Sequence, residues 1–280
     1  MIGLVTDSAS MLPSPWAERF DVAVVPMIVV LDGAPLREGV DIDSSTFYRQ
    51  VAVGVTVSTS APAPGEVLAT FRSLVDRGAT RIVSVHTGSD YSAVVSSARI
   101  AAQDLDVPVE IVDTGTVSFP VALCVAAAAR ARAEGAHAEV VAEVARRTAS
   151  TIDSLFIVGT PDLAVRSGRL PVEVGTPTPS SILRLCPDGL SEHATADSIE
   201  RALVAIAEHV GSIAERSSLL VGVGDADRPD LGSHLADLVA GWPGVAELVR
   251  YEIGPSVGTH SGPGTVGAVW STMQETPGER

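Results

Sequence analysis

The chain has 280 residues, is 46% hydrophobic and 19% charged, and carries a formal net charge of −15, enough apolar material for one large domain or two ordinary ones. All 19 basic residues are Arg, which excludes Schiff-base chemistry and a P-loop lysine. The acidic balance, with no basic cluster, argues against nucleic acid and anionic membranes as partners. Mean hydropathy is +0.30, but the longest apolar stretches, 22–31 and 118–129, are shorter than the ~18–20 residues of a membrane span. Residues 1–5 already read as a strand rather than a leader, so the expected location is the cytoplasm.

In chain order, residues 2–5 predict a buried parallel-type strand running into the polar Thr6-Asp7-Ser8. A second β-branched run, 22–31, is broken by Pro26. Residues 45–51 predict a short helix capped by Ser44 or Ser45, and 58–64 a turn of hydroxyls and prolines. Apolar residues at Val67, Leu68, Phe71, Leu74 and Val75 predict an amphipathic helix over 65–77. Then follow a strand at 81–86, a polar loop at 87–91, a helix at 92–105, a strand at 109–112, and helices at 121–134 and 137–150. Strands alternating with helices of this length argue for a parallel sheet covered on both faces.

The later pattern is mixed: a strand at 154–158, a short helix at 161–166, and a Pro/Thr/Ser loop at 174–181. A strand at 182–186, a turn at Pro187-Asp188-Gly189, a helix at 198–210, a strand at 218–223, a helix at 231–239 and a strand at 248–253 follow. A Gly/Pro loop at 260–264, a last strand at 266–270 and a frayed tail from 274 complete the chain. The expected domains are 1–158 and 159–280.

Four polar loops follow strands: Thr6-Asp7-Ser8, Ser58-Thr59-Ser60, the 87–92 loop and Thr259-His260-Ser261. In parallel sheets such loops face the ligand crevice. They are rich in hydroxyls and hold no cation. Hydroxyls and helix-terminal amides can hold a small anion. Ser92 has two readings, as an anion donor or as the cap of its own helix. His260 sits among glycines and a proline, a setting for close backbone approach rather than for a core histidine. Cys124 and Cys186 are isolated and read as reduced thiols. No His spacing fits a zinc site, and the Asp41/Asp43 and Asp225/Asp227 pairs read as solvated loop carboxylates. Gly254-Pro255-Ser256-Val257-Gly258 fits GxSxG but lacks a downstream acid and a well-placed His for a nucleophile elbow.

Several segments together resemble the DegV family, whose characterised members are bacterial fatty-acid-binding proteins. Val5-Thr6-Asp7-Ser8-Ala9-Ser10 is similar to the family's opening TDSxxDL, Val25-Pro26-Met27 to VVPL, and Thr59-Ser60-Ala61-Pro62-Ala63 to TSQPS. Segment 90–98 stands in the place of LSGTYxSA, Val112-Asp113-Thr114 resembles VDS, and Arg166-Ser167-Gly168-Arg169-Leu170 resembles GGRI. Thr259-His260-Ser261-Gly262-Pro263-Gly264 resembles THTGPG.

The resemblance implies a two-lobed α/β fold, with a parallel-sheet N-terminal lobe on the carboxylate side and a mixed C-terminal lobe on the acyl-tail side. It implies a long-chain fatty acid held between the lobes, with Thr59, Ser92 and His260 at its carboxylate. Ser60, Asp7, Ser8, Thr259, Gly262 and Arg169 would support them. A separate fatty-acid kinase would phosphorylate the presented carboxylate to an acyl phosphate for phospholipid synthesis. The chain would be a non-catalytic, monomeric carrier without cofactor or metal. Three departures stand out: SGTY becomes Ser92-Ala93-Val94-Val95, Ser180-Ser181 stands where the family has Lys-Pro before a strand of the second lobe, and the basic residue implicated in kinase contact becomes Asp197. Rival readings are a binder of another apolar acid and a phosphotransferase or hydrolase using His260.

Overall fold

The computed structural model describes residues 1–166, 168 and 177–273. The chain forms two compact units. The first comprises Met1–Ser150 and Ile253–His260; the second comprises Thr151–Glu252 and the chain from Ser261 on. A single cut at 158/159 does not describe this division, because the strand at 153–157 lies in the second unit and a late segment returns to the first.

The first unit opens with β1 (Ile2–Asp7), a 3-10 turn (Ser8–Ser10) and α1 (Ser14–Arg19). Next come β2 (Val22–Val25), β3 (Ile28–Leu31), β4 (Ala34–Arg37), α2 (Ser44–Ala52) and β5 (Val57–Ser60). Then follow α3 (Pro64–Asp76), β6 (Arg81–His86), α4 (Val94–Gln103), β7 (Val109–Asp113), α5 (Phe119–Ala133) and α6 (Ala138–Ala149). Its main sheet is parallel, in the order β2-β1-β6-β7. The order reverses between β1 and β6, so the ligand-facing switch point of such sheets falls at Asp7 and His86. The inner strands β1 and β6 are buried almost throughout because helices cover both faces. Val67, Phe71 and Leu74 of α3 pack on Val5, Val25 and Ile82.

Pro26 interrupts the 22–31 run as expected, since it cannot donate to a ladder. The break is larger than a bulge: β2 joins the main sheet, and β3 founds a separate antiparallel sheet, β4-β3-β5. Residues 57–60 are therefore a strand, where sequence composition predicts a turn. The helix expected at 45–51 is α2, and its cap is Asp43, whose Oδ1 accepts from the Thr46 amide at 2.7 Å. A carboxylate is the stronger acceptor for that amide and also suits the helix dipole.

The second unit contains β8 (Asp153–Ile157), α7 (Pro161–Arg166), β9 (Ser181–Cys186), β10 (Gly189–Thr195), α8 (Ile199–Ala214), β11 (Leu219–Asp225), α9 (Pro229–Ala240) and β12 (Val245–Glu252). After α10 (Pro255–Ser261), β13 (Val266–Thr272) completes it. Its sheet is mixed, β10-β9-β8-β13-β11-β12, with only β11 and β12 parallel. Leu203, Ile206 and Val210 of α8 and Leu235 and Val239 of α9 cover its core face. Among the described residues no helix is long and apolar enough to cross a membrane.

Candidate functional site

Thr59 lies on β5, paired with Val29 of β3, so its side chain is half-buried while Ser58 and Ser60 are exposed. His260 lies on α10, not in a loop: Pro255 starts a short helix through the segment that its glycines and proline mark as irregular. Thr59 Oγ1 and His260 Nε2 are 2.8 Å apart, although 201 positions separate them in sequence. The two strongest candidates are thus brought together within the first unit.

The supporting candidates have narrower roles. The Thr259 hydroxyl is buried and donates to the Pro255 carbonyl at 2.8 Å, inside its own helix. Gly262 belongs to the second unit and has φ +76°, a conformation glycine adopts without strain. Arg169 lies outside the described residues, as do most of the motif around it and the tail from 274.

Ser92 precedes α4, which starts at Val94 rather than at Ser92. Its Oγ accepts from the Val94 amide at 3.2 Å, a local, cap-like bond that does not use the hydroxyl hydrogen. The loop is anchored from β7: Asp113 Oδ1 accepts from the Ser89 amide at 3.1 Å.

Asp7 has no exposed surface and is a knot at the switch point. It accepts from His86 Nδ1 (2.9 Å), the Thr87 amide (2.9 Å) and the Thr87 hydroxyl (2.8 Å). Ser84 Oγ lies 2.6 Å from His86 Nε2, so Ser84, His86 and Asp7 have the order of a hydrolytic triad. All three are sealed at 0% exposure, and an acyl substrate has no route to Ser84. The arrangement orients the imidazole and ties β1 to β6.

Ser8 accepts from the Met27 amide at 2.9 Å and donates to Glu38 Oε2. Glu38, just past β4, is the residue sequence reasoning missed. Its Oε1 accepts from the Ser256 amide at 2.8 Å, in the first turn of α10. Burial pushes its carboxyl above the usual range and the nearby Asp7 charge adds to that, against the lowering effect of Ser256 and Ser8. Nothing in Arg37-Glu38-Gly39 distinguishes it from a solvated turn glutamate; its partners Ser8 and Ser256 lie 30 and 218 positions away. The same contact accounts for the GxSxG match: Ser256 is a buried anchor of α10, not an exposed nucleophile.

The paired aspartates also have structural partners. Asp41 pairs with Arg37, which lowers its pKa to about 2, and Asp43 caps α2. Asp225 is buried rather than solvated, and accepts from Arg250 Nη2 at 2.9 Å. Cys124 is buried, its thiol pushed up to about 12 by desolvation, and both cysteines are free thiols. Among the described residues, no group of three or more His, Cys, Asp or Glu could hold a metal ion.

The family model described as an uncharacterised protein of the DegV family matches residues 1–273. A DegV domain-containing protein of Streptomyces coelicolor is 31% identical, over 97% of this chain and 98% of its own length. A DegV-family structure from Thermus thermophilus, described as fatty-acid-binding, superimposes with a TM-score of 0.88 at 28% identity, over 97% of this chain and 99% of that one. The structure of DegV from Bacillus subtilis, described as a fatty acid binding protein, shares the fold with a TM-score of 0.87 at 24% identity, over 97% and 99% of the two chains. The whole-length family match, the relative at 31% identity and the α/β architecture agree: the chain belongs to the DegV family.

Proposed function

We propose that this chain binds a long-chain fatty acid and holds its carboxylate at Thr59, His260 and Ser92. The observation that carries the reading is the Thr59–His260 hydrogen bond, which joins two DegV-type motifs into one half-buried polar pair. The fatty-acid-binding relative from Thermus supports it. An acyl chain gains about 0.8 kcal/mol per buried CH₂. Its carboxylate is tolerated only where donors meet it. A threonine hydroxyl can accept from His260 Nε2–H and donate its own hydrogen to a carboxylate oxygen. Ser92 has a hydroxyl hydrogen that its bond to Val94 does not use.

In this reading the chain is a cytoplasmic carrier, not an enzyme. It presents the carboxylate to a separate fatty-acid kinase that supplies the ATP chemistry. Asp197 in place of a basic residue makes that contact depend on other groups, with Arg201 the nearby cation. Titration with palmitate tests the reading, with Thr59→Ala and His260→Ala weakening binding. Wild-type affinity in both variants would reject the assigned site. Acyl phosphate formed from ATP by the purified chain alone would reject the carrier role.

A further inference from the structure

The segment Ile253–His260 is the one stretch through which the chain re-enters the first unit, and it carries His260. Three contacts fix its start. Tyr48 Oη donates to the Ile253 carbonyl at 2.6 Å, the Gly254 amide to Met11 Sδ at 3.0 Å, and the Ser256 amide to Glu38 Oε1 at 2.8 Å. Of the three acceptors only Glu38 is ionisable. Its other oxygen is held by Ser8, the neighbour of Asp7 at the end of β1. Glu38 thereby links the switch point of the parallel sheet to the first turn of α10, one helical turn before His260.

We propose that Glu38 is a positioning residue for the head-group site: by gripping the Ser256 amide it sets the placement of α10, and so holds His260 against Thr59. This rests on the fatty-acid reading only for its binding readout; the placement of His260 can be read without any ligand. Facing Glu38 are the hydroxyls of Ser8 and Ser256, the charge of Asp7 and the Met11 side chain. At a buried amide water does not replace a lost side-chain acceptor, so removing it leaves the Ser256 N–H unpaired and shifts the helix rather than merely loosening it.

The test uses the full chain and the variants Glu38→Ala, Glu38→Asp and Glu38→Gln. Aspartate shortens the reach if alanine does not fold. Glutamine keeps an acceptor for Ser256 and is the rescue. Nitrogen-15 NMR of the ligand-free protein reads the His260 imidazole. The expected result is a changed Nε2 shift in Glu38→Ala or Glu38→Asp, largely restored in Glu38→Gln. Palmitate affinity, measured well below each variant's Tm, should fall roughly tenfold in the same variants. That fall should vanish in a His260→Ala background. An unchanged Nε2 shift alongside a lowered Tm would overturn the proposal and leave Glu38 a stability residue. So would an affinity loss that persists without His260. Failure of every protein, wild type included, to bind palmitate would sink the fatty-acid reading, and the NMR arm would still decide the role of Glu38.

Discussion

Thr59 and Glu38 show how differently two residues of the proposed site can be encoded. Thr59 makes its contact through a hydroxyl alone, so Thr59→Val keeps the shape and removes the donor. We expect palmitate affinity to drop by about 10–150-fold, the usual weight of a hydrogen bond to a charged group; isothermal titration checks it. Glu38 acts through burial, and the sign of its pH effect follows. Its folded pKa is raised above the ordinary 4.5 of a glutamate, so between that value and the raised one the folded state keeps a proton that the unfolded state releases. Its contribution to stability is greatest at the acid end and is lost as pH rises through the folded pKa. Urea melts across that window should show a downward slope for wild type and a flatter one for Glu38→Gln. Parallel slopes would contradict it. Thr59 and His260 were legible because short motifs with hydroxyls, glycines and an isolated imidazole surround them. Glu38 was not, since its partners, the Ser8 hydroxyl and the Ser256 amide, lie 30 and 218 positions away.

At the scale of elements, the strongly periodic segments were read correctly, and the misses have physical causes. β10 is an edge strand with mostly exposed, polar residues, so no alternation marks it. β4 is likewise an exposed edge. α10 is hidden by Gly258 within it and by Gly254 and Gly262 at its flanks, which read as loop; tertiary anchoring supplies what propensity lacks. Gly254 shows how close that anchoring is: a Cβ there would lie 2.7 Å from Glu38 Oε1 and 3.3 Å from Met11 Sδ. Gly254→Ala should cost about 1–3 kcal/mol by overpacking, measured by chemical denaturation. In the second unit, His209 of α8 meets His193 of β10 with ring centroids 5.0 Å apart. Burial first, then His193, lowers the His209 pKa below 6.5. The unfolded chain therefore takes up a proton more readily, and stability should be lost as pH falls below about 6.5. His209→Phe should blunt that loss in thermal melts at pH 5 and 7.

For the whole molecule, composition located no boundary well. The α/β class, the parallel first sheet and the mixed second sheet followed from the order of apolar runs. The division did not, because the first unit is discontinuous: α10 returns to it after the sequence has already built most of the second. No local composition shift marks such a return. The charge of −15 also acts at this scale. An acidic surface repels an anionic ligand within a Debye length, about 10 Å at 0.1 M salt. Palmitate association should therefore accelerate as salt rises from low ionic strength, in stopped-flow measurements at submicellar concentration. A rate that falls with salt would point to an attractive local field instead.

The central claim, that Thr59 and His260 hold the carboxylate of a bound fatty acid, is tested most directly by native mass spectrometry with lipid extraction. Wild type and a Thr59→Ala/His260→Ala variant would be purified side by side, and each offered palmitate. The account predicts one equivalent of fatty acid on the wild-type chain and a clear loss of occupancy on the variant. An empty wild-type protein that takes up no palmitate, or equal occupancy in the two, would contradict it.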